Sequence, residues 1–188
     1  MIGCGGSGKT TVSRELGRRL DLPVRHIDGY YWRGQNDPPK EEWPRIHGEL
    51  VAAEQWVIDG MKIGVLRERL ARADTVVFLD LPRRTCFAGV AQRRIEFRGR
   101  LHPDLGVYDR ISWAFIRWIW GFGRRQRPQI LALLGECSCR VVVLRSRREV
   151  RRFLASLPAA ADVRASGSAS AQQPAMPAHI RDESVNHV

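Results

Sequence analysis

Gly3-Cys4-Gly5-Gly6-Ser7-Gly8-Lys9-Thr10 decides how the rest of the chain is read, because it fills every fixed position of the pattern G-x-x-x-x-G-K-[ST]. The glycines permit backbone conformations that side chains forbid, so successive N–H groups can turn inward around a phosphate at the start of a helix. Lys9 then reaches the β- and γ-phosphates of a nucleotide, and the Thr10 hydroxyl stands where it can ligate Mg2+. Gly3, Gly5, Gly6, Ser7, Gly8, Lys9, Thr10 and Thr11 are the expected nucleotide-binding residues. Only Met1 and Ile2 precede the first glycine, so the strand feeding the loop is expected to be clipped. Either translation starts further upstream or fewer ladder hydrogen bonds anchor the loop.

Beyond the loop, short β runs alternate with helical stretches, the pattern of a parallel sheet with helices on its faces. The fold class expected is α/β. Helix 9–20 carries Val12, Leu16 and Leu20 on one face. Residues 24–28, 55–59, 75–81 and 140–144 read as strands. Residues 41–54, with Pro44 tolerated in the first turn, read as a helix, as do 63–73, 83–97 and 147–157. A long helical stretch from about Tyr108 is expected to break between Gly121 and Pro128. Residues 1–157 are assigned to one domain. Within it, a polar segment at about 94–110, with His102, Pro103, Asp104 and Gly106, is the candidate lid. Residues 158–188 are poor in large apolar side chains and read as a disordered tail.

A strand-terminal carboxylate is needed to hold the magnesium hydration shell opposite the loop. Asp59, in Trp56-Val57-Ile58-Asp59-Gly60, is preferred over Asp80, which can equally serve as a strand-end cap. Asp28 ends another expected strand, which directs it to the crevice above the sheet as an acceptor-binding or proton-accepting group. His26, two residues earlier, reads as a structural histidine. Arg94 and Arg98 share a helical face just before the polar segment, and two arginines there can clamp a migrating phosphoryl group. Lys9, Arg94 and Arg98 are thus the catalytic candidates, with Arg124, Arg125 and Arg127 completing the clamp from the far side. Trp113, Phe115, Trp118, Trp120 and Phe122 point to a helix buried on several sides, or to a dimer interface.

The net charge of +11 comes almost wholly from arginine, which directs attention to anionic partners. No apolar run is long enough to span a membrane, and no secretory signal follows Met1, so a cytoplasmic location is expected. Cys4, Cys86, Cys137 and Cys139 show no CxxC pair and read as reduced thiols, with neither disulfide nor zinc.

With these residues in hand, the chain resembles the adenylate-kinase-like P-loop family known as DNA topology modulation, or flagellar-regulation, proteins. The likeness covers nearly everything before the tail. It rests on residues 3–10, His26-Ile27-Asp28, the Trp56–Gly60 stretch, Ala73-Asp74-Thr75-Val76-Val77-Phe78-Leu79-Asp80-Leu81-Pro82, Arg93-Arg94 with Arg98-Gly99-Arg100, Trp118-Ile119-Trp120, and Leu144-Arg145-Ser146-Arg147. The resemblance implies a P-loop three-layer sandwich of the nucleoside monophosphate kinase type: a five-stranded parallel sheet, helices on both faces and a small lid. In that setting Asp59-Gly60 looks like the Asp-Gly that supports magnesium after the third strand, and Arg94 with Arg98 like the paired lid arginines. The segment 144–147 is similar to the loop beside the adenine. The Asp-Gly-Phe-Pro-Arg signature of adenylate kinases is not present, because Met61 and Lys62 follow Gly60.

The expected function is a kinase moving the γ-phosphoryl of Mg-ATP to a small acceptor. Its partners are Mg2+, ATP and that acceptor, in a monomer or homodimer. The alternative is a nucleotide-gated regulatory or DNA-binding protein without turnover. It is less favoured, since no helix-turn-helix, zinc finger or RNA-recognition signature is found.

Overall fold

The computed structural model describes residues 1–31, 39–96 and 112–157. Through them the chain runs β1 (Ile2–Gly3), α1 (Lys9–Leu20), β2 (Val24–His26), α2 (Ile27–Tyr31), α3 (Trp43–Ala52), β3 (Val57–Asp59), α4 (Leu66–Arg72), β4 (Thr75–Leu79), α5 (Arg83–Glu96), α6 (Trp113–Glu136), β5 (Arg140–Leu144) and α7 (Arg147–Ala155). Most of the candidate lid, Arg98 and the 158–188 tail lie outside the described residues.

Val76, Val77, Phe78 and Leu79 are buried, so β4 has apolar side chains on both faces, as a strand covered by helices on either side requires. It takes the centre of a three-stranded parallel sheet in the order β1-β4-β5, with Ile2 opposite Phe78 and Val77 opposite Val142. A second parallel pair joins β2 to β3, with His26 opposite Asp59. The two pieces meet where the Met1 amine donates to the Ile58 carbonyl at 2.7 Å, which brings β3 to the open edge of β1. With β1 only two residues long, there is room for little more ladder than this.

The main core lies between sheet and helices and includes Ile2, Val12, Leu16, Phe78, Leu79, Val90, Ile119, Phe122 and Ile130. A smaller cluster of Ile27, Leu50, Val51 and Ile58 seats α3 against the β2–β3 pair. Pro44 occupies the first turn of α3, where a missing N–H costs nothing. Ser146 and Glu149 cap the start of α7 reciprocally: the Glu149 N–H donates to Ser146 Oγ, and Ser146 Oγ donates to the Glu149 carboxylate.

Two expectations need correction. The first is the break in the long helix, since α6 continues for 24 residues through Gly121, Gly123 and Pro128. Burial explains its continuity: Ile119 and Phe122 anchor the helix before the proline, and Ile130 and Leu134 anchor it after. The Gln129 side-chain amide also donates to the Arg125 carbonyl at 2.9 Å beside the lost backbone bond. The second is Asp28. β2 stops at His26, and Asp28 lies in the first turn of α2, not at a strand end.

Candidate functional site

The loop between β1 and α1 owes its shape to glycines that nothing else can replace. Gly6 and Gly8 hold positive φ angles of 75° and 91°, in a region favouring glycine. Gly8 is the N-cap of α1, with no side-chain cap and no acidic residue in the first turn. The first backbone bond inside the helix is Val12 N–H to Gly8 O, at 3.0 Å, so the N–H groups of Lys9, Thr10 and Thr11 precede the helical ladder. That end of the helix is therefore free to receive an anion. Ser7 N–H closes a turn onto the Cys4 carbonyl at 3.2 Å, while Ser7 Oγ is buried and without a hydrogen-bond partner.

Lys9 is only 8% exposed, and its ammonium donates to the Cys4 carbonyl at 3.0 Å. A buried cation resting on one carbonyl of the loop is satisfied in part and can exchange that bond for a phosphate oxygen without leaving the site. Cys4 adds no competing anion. Its hydrogen bond with Cys86 and its burial push the thiol well above its ordinary value.

Two elements hold the loop from outside. Cys86, Gly89 and Val90 lie on one face of α5, spaced three and four residues apart. A methyl on Gly6 would collide with the Cys86 carbonyl and stand 2.7 Å from Val90 Cγ2, and one on Gly89 would collide with the Gly6 carbonyl oxygen. On another side, a methyl on Gly5 would lie 2.6 Å from Phe115 Cζ and 3.4 Å from Trp118. Phe115 and Trp118 stack at 6.0 Å and 10° between their planes, and Trp118 meets Phe122 edge-on at 5.3 Å. The inward aromatic stripe of α6 is thus a wall of the loop. Sequence reasoning missed this use of Gly89, Phe115 and Trp118. The one available signal was a glycine in the middle of an otherwise regular helix.

Asp59 ends β3, on the strand that reaches the edge of β1, and is 2% exposed. His26 Nδ1 lies 2.7 Å from its Oδ1, whereas Oδ2 is buried without a partner. Burial pushes this carboxyl up, but the hydrogen bond from His26, the charge of that ring and the charge of Lys9 outweigh it and hold the group below its ordinary value. An ionised carboxylate with one unused oxygen is thereby kept near the lysine. Asp28 lies close by, its Oδ1 3.1 Å from where a methyl on Gly60 would stand. Gly60 has a φ of 126°, so the chain turns sharply behind Asp59.

Asp80 takes the structural part that the sequence left open for it. Arg127 grips it with both ends of the guanidinium, at 2.9 to 3.1 Å, tying the end of β4 to α6. Arg127 is thus engaged with Asp80 in this structure. Arg94 stands in the last turn of α5. Among the described residues, no three His, Cys, Asp or Glu side chains gather into a metal cage. Mg2+ keeps most of its ligands as water and phosphate oxygens and needs no such cage, and the buried Asp59 oxygen without a protein partner has the chemistry to serve it. Among the described residues, no helix is long and apolar enough to cross a membrane.

Comparison of the chain with known protein families returned no matching family model, and comparison with curated proteins returned no match.

Proposed function

We propose that the chain is an ATP-binding phosphotransferase of the adenylate-kinase-like P-loop kind, which moves the γ-phosphoryl of Mg-ATP to a small acceptor, with nucleotides among the candidates. The observation that carries this reading is the pairing of a buried Lys9, at an uncapped helix start, with a buried carboxylate oxygen of Asp59 that has no protein partner. A lone glycine turn needs neither. Taken as one surface, the two sheet pieces would run β2-β3-β1-β4-β5, five parallel strands as the resemblance implies, with the Met1 to Ile58 bond as the seam.

In this reading the loop amides and Lys9 bind the β- and γ-phosphates, and Thr10 and Asp59 hold Mg2+ directly or through water. Bound by those residues, Mg2+ would supply charge neutralisation on the phosphate oxygens. Asp28, beside Gly60, orients the acceptor. The acceptor oxygen bonds to the γ-phosphorus as the bond to the β–γ bridging oxygen breaks, releasing ADP, and where the acceptor is a hydroxyl its proton passes to Asp28. The wall of Phe115 and Trp118 limits water at the loop.

The test is a screen of purified protein with Mg-ATP against nucleoside monophosphates and small hydroxylated metabolites, following ADP release. Acceptor-dependent ADP is expected. Lys9→Ala should weaken Mg-ATP binding roughly 10- to 100-fold in calorimetry while the melting curve stays cooperative. Unchanged nucleotide binding in that variant would reject the site.

A further inference from the structure

The inward face of α6 builds the loop wall, but its outward face carries residues which that function does not use. A rotation of about 100° per residue sets Trp113, Arg117, Trp120 and Arg124 within about 60° of one another, in strict alternation of tryptophan and arginine. Trp113 is 87% exposed and Trp120 62%, and both arginines are exposed. Trp113 is left largely in water, and Trp120 keeps Phe87 beside it, 6.3 Å between ring centroids, yet remains mostly exposed, so both forfeit much of the burial that most tryptophans obtain and their position on one face calls for a partner. Arg83, from the start of α5, stacks over the Trp120 ring at 3.9 Å and holds that ring in place. Arg83, Arg117, Trp120, Arg124 and Arg125 line an open cleft of about 570 Å³. A second cleft of about 210 Å³ shares Arg117 and Arg125 and continues along the helix. Among the described residues, no carboxylate lines either cleft.

We propose that this stripe on α6, with Arg83, is a binding surface for single-stranded nucleic acid, whose bases stack on Trp113 and Trp120 while its phosphates run along the arginines. The two tryptophans stand about 10 Å apart along the helix, a spacing that successive nucleotides of an extended strand can bridge. Three alternatives fit less well. A helix lying on a membrane sorts tryptophan and arginine onto opposite faces, whereas here they share one. A second copy of the chain would set arginine against arginine on a protein already carrying +11. Duplex DNA hides the base faces that the indoles would stack on. The proposal does not depend on the phosphotransferase reading.

The probe is a fluorescein-labelled 12-nucleotide oligodeoxythymidine, followed by anisotropy across a salt series. Removing both indoles (Trp113→Ala with Trp120→Ala) should weaken binding roughly tenfold or more, and the double change to Phe should recover part of it. The pair Arg117→Gln and Arg124→Gln should flatten the slope of log affinity against log salt by roughly 0.7 per arginine removed. The exposed pair Arg148→Gln and Arg151→Gln on α7 serves as a control for general basicity, and should leave affinity within about threefold. Lys9→Ala should bind the oligomer as the unaltered chain does, which separates this surface from the nucleotide site. The proposal is overturned by equal losses in the α7 control, by indifference to the loss of both indoles, or by equal binding of a duplex of the same length. It is also overturned if light scattering finds a dimer that the tryptophan changes dissociate, or if anionic vesicles bind the stripe more tightly than the oligomer.

Discussion

Gly89 and Gly48 both stand inside helices, yet a methyl on Gly89 would collide with the Gly6 carbonyl oxygen, whereas one on Gly48 would meet nothing within 4 Å. The first helix, α5, uses its glycine to bring backbone against backbone, and so presses the glycine-rich loop into one shape from behind. The second, α3, keeps a glycine that serves no contact and only adds freedom to the unfolded chain. The comparison extends to their surroundings. Around the loop, the buried charged groups each have a protein partner: Lys9 rests on the Cys4 carbonyl, and one oxygen of Asp59 is held by His26, while Ser7 Oγ and the other Asp59 oxygen have none. On the α3 flank, His47 is fully buried with neither ring nitrogen in a hydrogen bond. Gly89 thus marks backbone pressed against the glycine-rich loop, whereas Gly48 marks a helix face with open space around it.

The sharpest break of this contrast is Gly89→Ala. By helix propensity alone it should stabilise α5, but the collision with Gly6 forces α5 or the loop to move, a strain of about 1–3 kcal/mol. A lower melting temperature together with weaker Mg-ATP binding is expected in calorimetry. A raised melting temperature would show that α5 does not brace the loop.

How much of this was open to reading follows from the same contrast. The alternation of strand and helix, the loop itself and the strand-end Asp59 lie in local pattern, which needs only spacing and residue type. Gly89 and Phe115 do their work through residues more than 80 positions away, so no local window contains the reason for them. Trp113 and Trp120 were read with the other aromatics as marking a helix buried on several sides or a dimer interface; in the single chain they stand exposed, because the periodicity of a helix tells which residues share a face but not which face is covered, nor by what. Pro128 misled for a related reason: its local cost is real, but Ile130 and Leu134 beyond it are buried deeply enough to carry the helix on. Asp28 was displaced from the strand end by a single turn, since the pairing of β2 ends opposite Asp59 and β3 offers no further partner.

The corner is also braced through Asp80, and Arg127→Ala tests how far. It leaves a nearly buried carboxylate without its bidentate partner and should cost about 2 kcal/mol in denaturant unfolding. Pairing it with Asp80→Asn should return part of the loss, because the stranded charge is then removed. A double variant no better than the single one would mean that Arg127 acts through its packing, not its charge.

On the α3 flank the expected effect is smaller and appears only in acid. Burial, and then the nearby Arg69 charge, lower the His47 pKa, outweighing Glu68 at 3.5 Å. Above about pH 6.5 the ring is neutral in both states and contributes no pH dependence. Below it the unfolded chain takes up a proton that the folded ring refuses, so stability should fall by up to about 1.4 kcal/mol per pH unit until the lowered folded value is reached. His47→Leu should remove that slope from a series of melting temperatures between pH 7 and pH 5. An identical slope in the variant would place the acid sensitivity in other groups.

Gly48→Ala is the smallest change and the cleanest counterpart to Gly89→Ala. The position is exposed within α3, with no neighbour for the new methyl to strike. The gain should therefore be the intrinsic preference of alanine for a helix, about 0.5–1 kcal/mol, drawn mostly from lost freedom in the unfolded chain. A rise of a few degrees in melting temperature is expected, with Mg-ATP affinity unchanged because the new methyl meets nothing within 4 Å. The same substitution thus carries opposite signs at two helical glycines, and the sign reports whether the helix is pressed against backbone. Were both variants to gain stability, the close approach of α5 to Gly6 would have to be relaxed in solution, and the glycine-rich loop would need another source of rigidity.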